Sequence, residues 1–322
     1  MEHASRRSGP VRIADVMEDR AVPADRDAVA SVDPTTGALA FALRAIDGQP
    51  LSAHRYSAAG ARAGHVLIAG ATGVPQRFYR AFARWMAAHG WTCWTLDYRG
   101  IGASRPASLR GFEVDYRDWA ERDLAALVAA VPSDGPPLFV VGHSFGGQAF
   151  GLLPDTSRIA GLYTFATGAG WHGWMPWPER WRVLALWHLV APVLVRRHGY
   201  LAWSRLGMGE DLPHGVYRDW KRWCGHPHYF FDEPGIGAEL RERYARVRAP
   251  IVAANARDDA WAPPASRDAF MAAYARADVV HRDIDSVREG LGQIGHLGYF
   301  RPSAEPLWRE VLAWMEGTAS VR

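Results

Sequence analysis

From residue 65 onward the chain alternates between two hydrophobic rhythms. Short, nearly unbroken apolar runs at 65–69, 91–96, 136–141, 162–166 and 250–254 predict buried strands, and 279–284 reads as another. Between them lie stretches with the 3.6-residue period of a helix. Phe78, Phe82, Trp85, Met86 and His89 fall on one face, as do Leu124, Leu127, Val128 and Val131 within 116–131. Strands alternating with helices predict an α/β fold, a mostly parallel central sheet flanked by helices. Ahead of this region, 38–45 and 52–58 flank a turn at Asp47-Gly48 and predict an antiparallel opening. Residues 1–35 show little apolar periodicity and are expected to form a flexible N-terminal arm. The alternation stops between the sixth strand, near 162–166, and the run at 250–254. The expected organisation is therefore a core from 36–168 and 246–322, with an insertion at 169–245.

Ligand sites of parallel sheets gather at the carboxyl ends of the strands, so the residues just after each run are the place to look. After 136–141 stands Gly142-His143-Ser144-Phe145-Gly146, a G-x-S-x-G turn between a strand and a helix-forming stretch. Its glycines let the chain turn tightly and lift the Ser144 hydroxyl above the sheet. A serine hydroxyl is a weak nucleophile near neutral pH and needs a base oriented by an acid. Candidates follow in the order acid, then base. Asp258 and Asp259 come after the strand at 250–254, and His296 lies in Gly295-His296-Leu297-Gly298 beyond the strand at 279–284. Asp259, four residues before Pro263, is preferred as the acid. Oxyanion donors are expected from the N–H of Phe145 and from the loop after 65–69, at Ala71 or Thr72. His143, beside the serine, is counted with the substrate-binding residues.

Composition narrows the field. Of 322 residues, 48% are hydrophobic and 22% charged, which excludes collagenous, coiled-coil and mainly disordered proteins. Net charge is +3, Lys221 is the sole lysine among 37 basic residues, and no run of five basic residues occurs, so no nucleic-acid partner is expected. A Walker A motif is excluded because that lysine follows Trp220. In 97–104 the third glycine of a dinucleotide fingerprint is replaced by Arg105. Cys93 and Cys224 have no metal-type spacing, and His226-Pro227-His228 lacks companion ligands, so no metal and no cofactor are expected. The longest apolar run, 183–195, contains His188 and Pro192 and is too short to span a bilayer. With no stable membrane insertion and no apolar leader at the start, a cytoplasmic protein is expected.

The elbow, Asp97-Tyr-Arg-Gly-Ile-Gly-Ala-Ser104, the Asp259 loop and Gly295-His-Leu-Gly298 together resemble the α/β-hydrolase superfamily over most of 38–314. More narrowly, 71–79 with 97–100 and 295–300 is similar to a bacterial branch labelled serine aminopeptidase-like or lysophospholipase-like. The resemblance implies the α/β-hydrolase fold, a cap inserted after the sixth strand and a serine hydrolase. The expected reaction is cleavage of a small-molecule ester or thioester with an apolar acyl group. The alternatives are an acyltransferase or cyclase using the same acyl-enzyme, or a non-hydrolytic lyase or ligand-binding protein. The chain departs from the superfamily pattern in having Ala69-Gly70 where His-Gly is usual, and Ala256 where the acid loop usually opens with Gly. Eight of the 15 tryptophans fall in the insertion. Trp171 and Trp174, directly after the turn at 168–170, are expected nearest an apolar pocket above Ser144.

Overall fold

The computed structural model describes residues 11–12, 29–32, 37–60 and 62–321. Ten strands form one sheet: β1 (Val11–Arg12), β2 (Val29–Val32), β3 (Leu39–Arg44), β4 (Pro50–Tyr56), β5 (Gly64–Ala69), β6 (Trp91–Leu96), β7 (Leu138–His143), β8 (Ile159–Phe165), β9 (Ile251–Ala256) and β10 (Val279–Ile284). Their order is β1-β2-β3-β4-β6-β5-β7-β8-β9-β10. Pairing is antiparallel from β1 through β4 to β6 and parallel from β6 to β10. All eight strands read from the sequence are present. Of the expected N-terminal arm, Val11–Arg12 and Val29–Val32 are described, and both are strand on the sheet edge. The remainder of 1–35, apart from these, lies outside the described residues.

The inner strands are apolar on both faces, as a doubly covered parallel sheet requires. Leu67, Trp94, Val140 and Leu162 point to one core, and Val66, Cys93, Val141 and Tyr163 to the other. The second core is closed by α1 (Arg80–Ala88), through Phe82, Ala83 and Met86, and by the C-terminal helix, through Leu307, Trp308, Val311 and Met315. His89, expected on the inner face of α1, instead lies exposed and stacks on Trp85 at 3.9 Å. The first core is closed by the predicted 116–131 helix, which is a π-helical turn, Trp119–Leu124, running into α2 (Ala125–Ala130).

A short α3 (Phe145–Gln148) follows β7 directly. Between β8 and β9 the chain leaves the sheet and forms α4 (Trp177–Ala185), α5 (Ala191–His198), α6 (His214–Trp223) and α7 (Gly237–Ala245), joined by short 3₁₀ and π turns. Their inward side chains, among them Val183, Trp187, Trp203 and Val216, join the first core. Helices α8 (Pro264–Met271) and α9 (Glu305–Ser320) complete the chain. No described helix is long and apolar enough to cross a membrane.

Candidate active site

The turn after β7 explains itself sterically. Ser144 sits at φ 52°, ψ −112°, in a region non-glycine residues rarely adopt. The strain is held by neighbours: Ser144 N–H donates to Phe165 O at 2.9 Å and its carbonyl accepts from Thr167 Oγ1 at 3.1 Å. A Cβ on Gly146 would overlap the Ala69 carbonyl, and one on Gly142 would lie 2.5 Å from Gly147 Cα. Only glycine lets β7 and α3 pass this close to β5.

Three loops then converge. Ser144 Oγ lies 3.1 Å from His296 Nε2, and His296 Nδ1 lies 2.9 Å from Asp259 Oδ2. The Asp259 side chain is completely buried, and its Oδ1 accepts the N–H groups of Trp261 (2.9 Å) and Ala262 (3.0 Å). A buried carboxylate needs such donors to remain in place. Asp258 does something else: its Oδ2 accepts the Ile294 N–H at 2.9 Å and so ties the acid loop to the loop that carries His296.

The donors around the serine separate by their hydrogen bonds. Phe145 N–H is the first of α3, and among the described residues it has no protein acceptor. Ala71 N–H, by contrast, donates to Tyr79 Oη at 2.7 Å. Of the two expected donors on this loop, Ala71 is therefore engaged elsewhere and Thr72 is left. The Thr72 hydroxyl bonds the buried Tyr116 hydroxyl.

His143 is corrected from its expected place among the substrate-binding residues. It is fully buried behind the serine and does not line the cavity. Its bonds can be assigned a direction. The His296 carbonyl can only accept, so His143 Nε2–H donates to it at 2.8 Å, and the bare Nδ1 takes the Tyr79 hydroxyl proton at 2.9 Å while Tyr79 Oη accepts the Ala71 N–H. That arrangement requires a neutral imidazole. Burial, with His296 alongside, pushes its pKa down to about 3.

The Ser144 and His296 side chains open into a cavity of about 520 Å³. Its walls are mostly apolar, with Thr72 and Gln148 the polar members beside Ser144 and His296, and among the described residues lining it there is no Asp, Glu, Lys or Arg. The expected tryptophans are not the ones present. Trp174 Nε1 donates to Pro227 O at 2.8 Å and Trp171 packs edge-on against it, and neither lines the cavity. Trp187, Trp203, Trp220 and Trp261 line it instead. Helical spacing was the available signal. Trp187 shares a face with buried Val183, whereas Trp177 and Trp181 lie on the outer side and are 71% and 56% exposed. Among the described residues no group of three or more His, Cys, Asp or Glu side chains could hold a metal ion, and His228 pairs with Asp232.

The family model described as serine aminopeptidase, S33, matches residues 61–221, half of the chain. The chain belongs to this family of α/β-hydrolases. Solved structures similar to the hydrolase agree on the fold. A soluble variant of monoglyceride lipase from Saccharomyces cerevisiae, in complex with a substrate analogue, superposes with a TM-score of 0.62 at 16% identity, covering 86% of this chain and 94% of that one. The α/β-hydrolase GrgF from Penicillium sp. sh18 gives 0.59 at 17% identity, over 87% and 98%. An esterase from Exiguobacterium antarcticum gives 0.56 at 14%, over 85% and 98%. No curated protein sequence matches the hydrolase.

Proposed function

We propose that the hydrolase is a serine esterase or thioesterase for an uncharged substrate with an apolar acyl group. The observation that carries this reading is the unbroken path Asp259–His296–Ser144, which ends at an apolar cavity of about 520 Å³. In the first half-reaction Ser144 Oγ bonds to the substrate carbonyl carbon as His296 Nε2 takes its proton. The N–H groups of Phe145 and Thr72 receive the carbonyl oxygen as it becomes negative. His296 returns the proton to the departing alcohol or thiol, leaving an acyl-Ser144 ester, and water repeats the sequence to release the acid. Asp259 holds the His296 ring with Nδ1–H toward itself and steadies the imidazolium.

The family description names an aminopeptidase. Such an enzyme must hold a substrate ammonium, for which a carboxylate is the ordinary partner. The lining residues include none, which favours a neutral ester. The neighbours whose titles name lipase or esterase activity fit the same reading. The segment 169–245 is assigned as the cap, since Val183, Trp187, Trp203 and Trp220 form much of the cavity wall. Two experiments test the proposal. A fluorophosphonate probe should label the wild type and not Ser144→Ala; persistent labelling would sink the assignment. Across p-nitrophenyl esters of increasing acyl length, kcat/KM should peak above acetyl, and a maximum at acetyl would contradict the large apolar pocket.

A further inference from the structure

The two donors proposed for the oxyanion sit on different loops, and the same side chain touches both. Tyr116, just before the π-helical turn Trp119–Leu124, is fully buried. Its hydroxyl bonds Thr72 Oγ1, and its ring stacks on the Phe145 ring with centroids 4.2 Å apart and planes 16° apart. The opposite partner is Trp223 of α6, stacked at 5.5 Å and 13°, while the Tyr116 N–H donates to Asp219 of the same helix at 3.2 Å. The Phe145 ring is further wedged edge-on by Tyr98 and Trp119, at 5.8 and 5.7 Å. Thr72 has fewer restraints. It lies in a turn closed by Val74 N–H to Ala71 O at 3.2 Å, and its loop is held further by the Ala71–Tyr79 bond and by Glu210 N–H to Gly73 O, so the hydroxyl bond to Tyr116 is the side-chain contact that orients residue 72 within that turn.

We propose that Tyr116 is a positioning residue that sets the spacing of the Thr72 and Phe145 N–H groups and so tunes stabilisation of the tetrahedral intermediate. This rests on the serine-hydrolase reading. Tyr116 never meets the substrate: it acts through Thr72 by its hydroxyl and through Phe145 by its ring. Donors aimed at a developing charge lose their effect with small displacements, and outright loss of one costs about 10²–10³ in kcat. Loosening Thr72 should therefore cost less, about tenfold.

The test is a double-mutant cycle with Tyr116→Phe, which keeps the stack and removes the hydroxyl, and Thr72→Val, which removes the other end of the bond. With p-nitrophenyl butyrate, each variant should lower kcat about tenfold with KM within about twofold, and the double variant should lose no more than either alone. Affinity for butylboronic acid, whose serine adduct is tetrahedral, should fall in parallel with kcat. An unchanged kcat in both variants, a loss confined to KM, or additive losses in the double variant would overturn the proposal. If Tyr116→Phe fails to fold, the half-buried Thr72→Val decides alone, through the same kcat and boronate losses. Failure of the underlying reading looks different: the wild type itself would then escape fluorophosphonate labelling.

Discussion

Neighbouring residues of one chemical type do unlike work in this site. Asp259 and Asp258 are adjacent, yet one faces His296 and the other accepts a backbone N–H from Ile294. Asp259→Asn, which preserves shape, should lower kcat by about 10⁴. Asp258→Ala should act mainly on stability, by about 1 kcal/mol, through its lost hydrogen bond. Steady-state kinetics beside thermal melts will separate the two. His143 offers a second contrast with His296, because its bonds demand the neutral form. In the unfolded chain a histidine takes up a proton near pH 6.5. Folded, His143 resists it until about pH 3. The unfolded state thus binds the extra proton in between, and stability is lost as pH falls from 6.5 toward 3. His143→Gln should make that fall shallower by up to about 1.4 kcal/mol per pH unit. Urea midpoints between pH 4 and 7 measure it, and parallel profiles for the two proteins would contradict the neutral assignment.

At the level of elements, the sheet was largely legible because both of its faces are covered. Runs such as 65–69 and 136–141 have no polar face to confuse the period, and glycines mark the turns that follow. The loops after β7, β9 and β10 could be picked out for the same reason, and the structure brings Ser144, Asp259 and His296 within hydrogen-bonding distance. Chain order served less well in the insertion. Nearness to the turn at 168–170 suggested Trp171 and Trp174, but the 3₁₀ turn His172–Trp174 carries them sideways to Pro227. The Ala71 N–H and His143 were equally opaque, since both depend on Tyr79 arriving from the start of α1. The packing of β7 and α3 on β5 yields another expectation. Gly146→Ala drives a methyl into the Ala69 carbonyl, and neither backbone can yield without moving the elbow. A loss of about 3 kcal/mol is expected in chemical denaturation, with activity falling alongside.

For the molecule as a whole, the loops of the sheet supply the reacting groups, and the segment between β8 and β9 adds Val183, Trp187, Trp203 and Trp220 to the cavity wall around them. Trp220 stands at the junction. It stacks on Trp203 at 5.0 Å, meets Trp187 edge-on at 4.9 Å and approaches Trp261 at 6.1 Å. Trp261 in turn bonds Glu179 of α4 through its indole nitrogen at 2.7 Å, joining the acid loop to the insertion. Since Trp220 is only partly buried and faces the cavity, Trp220→Ala should enlarge the site at modest cost to stability. The ratio of kcat/KM for long over short p-nitrophenyl esters should rise about tenfold, and an unchanged ratio would mean that the indole does not bound the acyl chain. The neighbour of that tryptophan opens a practical route. Lys221 is the only lysine in the chain, and it lies on α6 with its ammonium 5.9 Å from the Tyr217 ring. An amine-reactive dye would therefore attach at a single side chain, apart from the α-amino group, and that side chain rides on a helix whose inner face borders the cavity. The protein arrives with a ready-made address for a fluorophore, one residue from a tryptophan that lines the cavity.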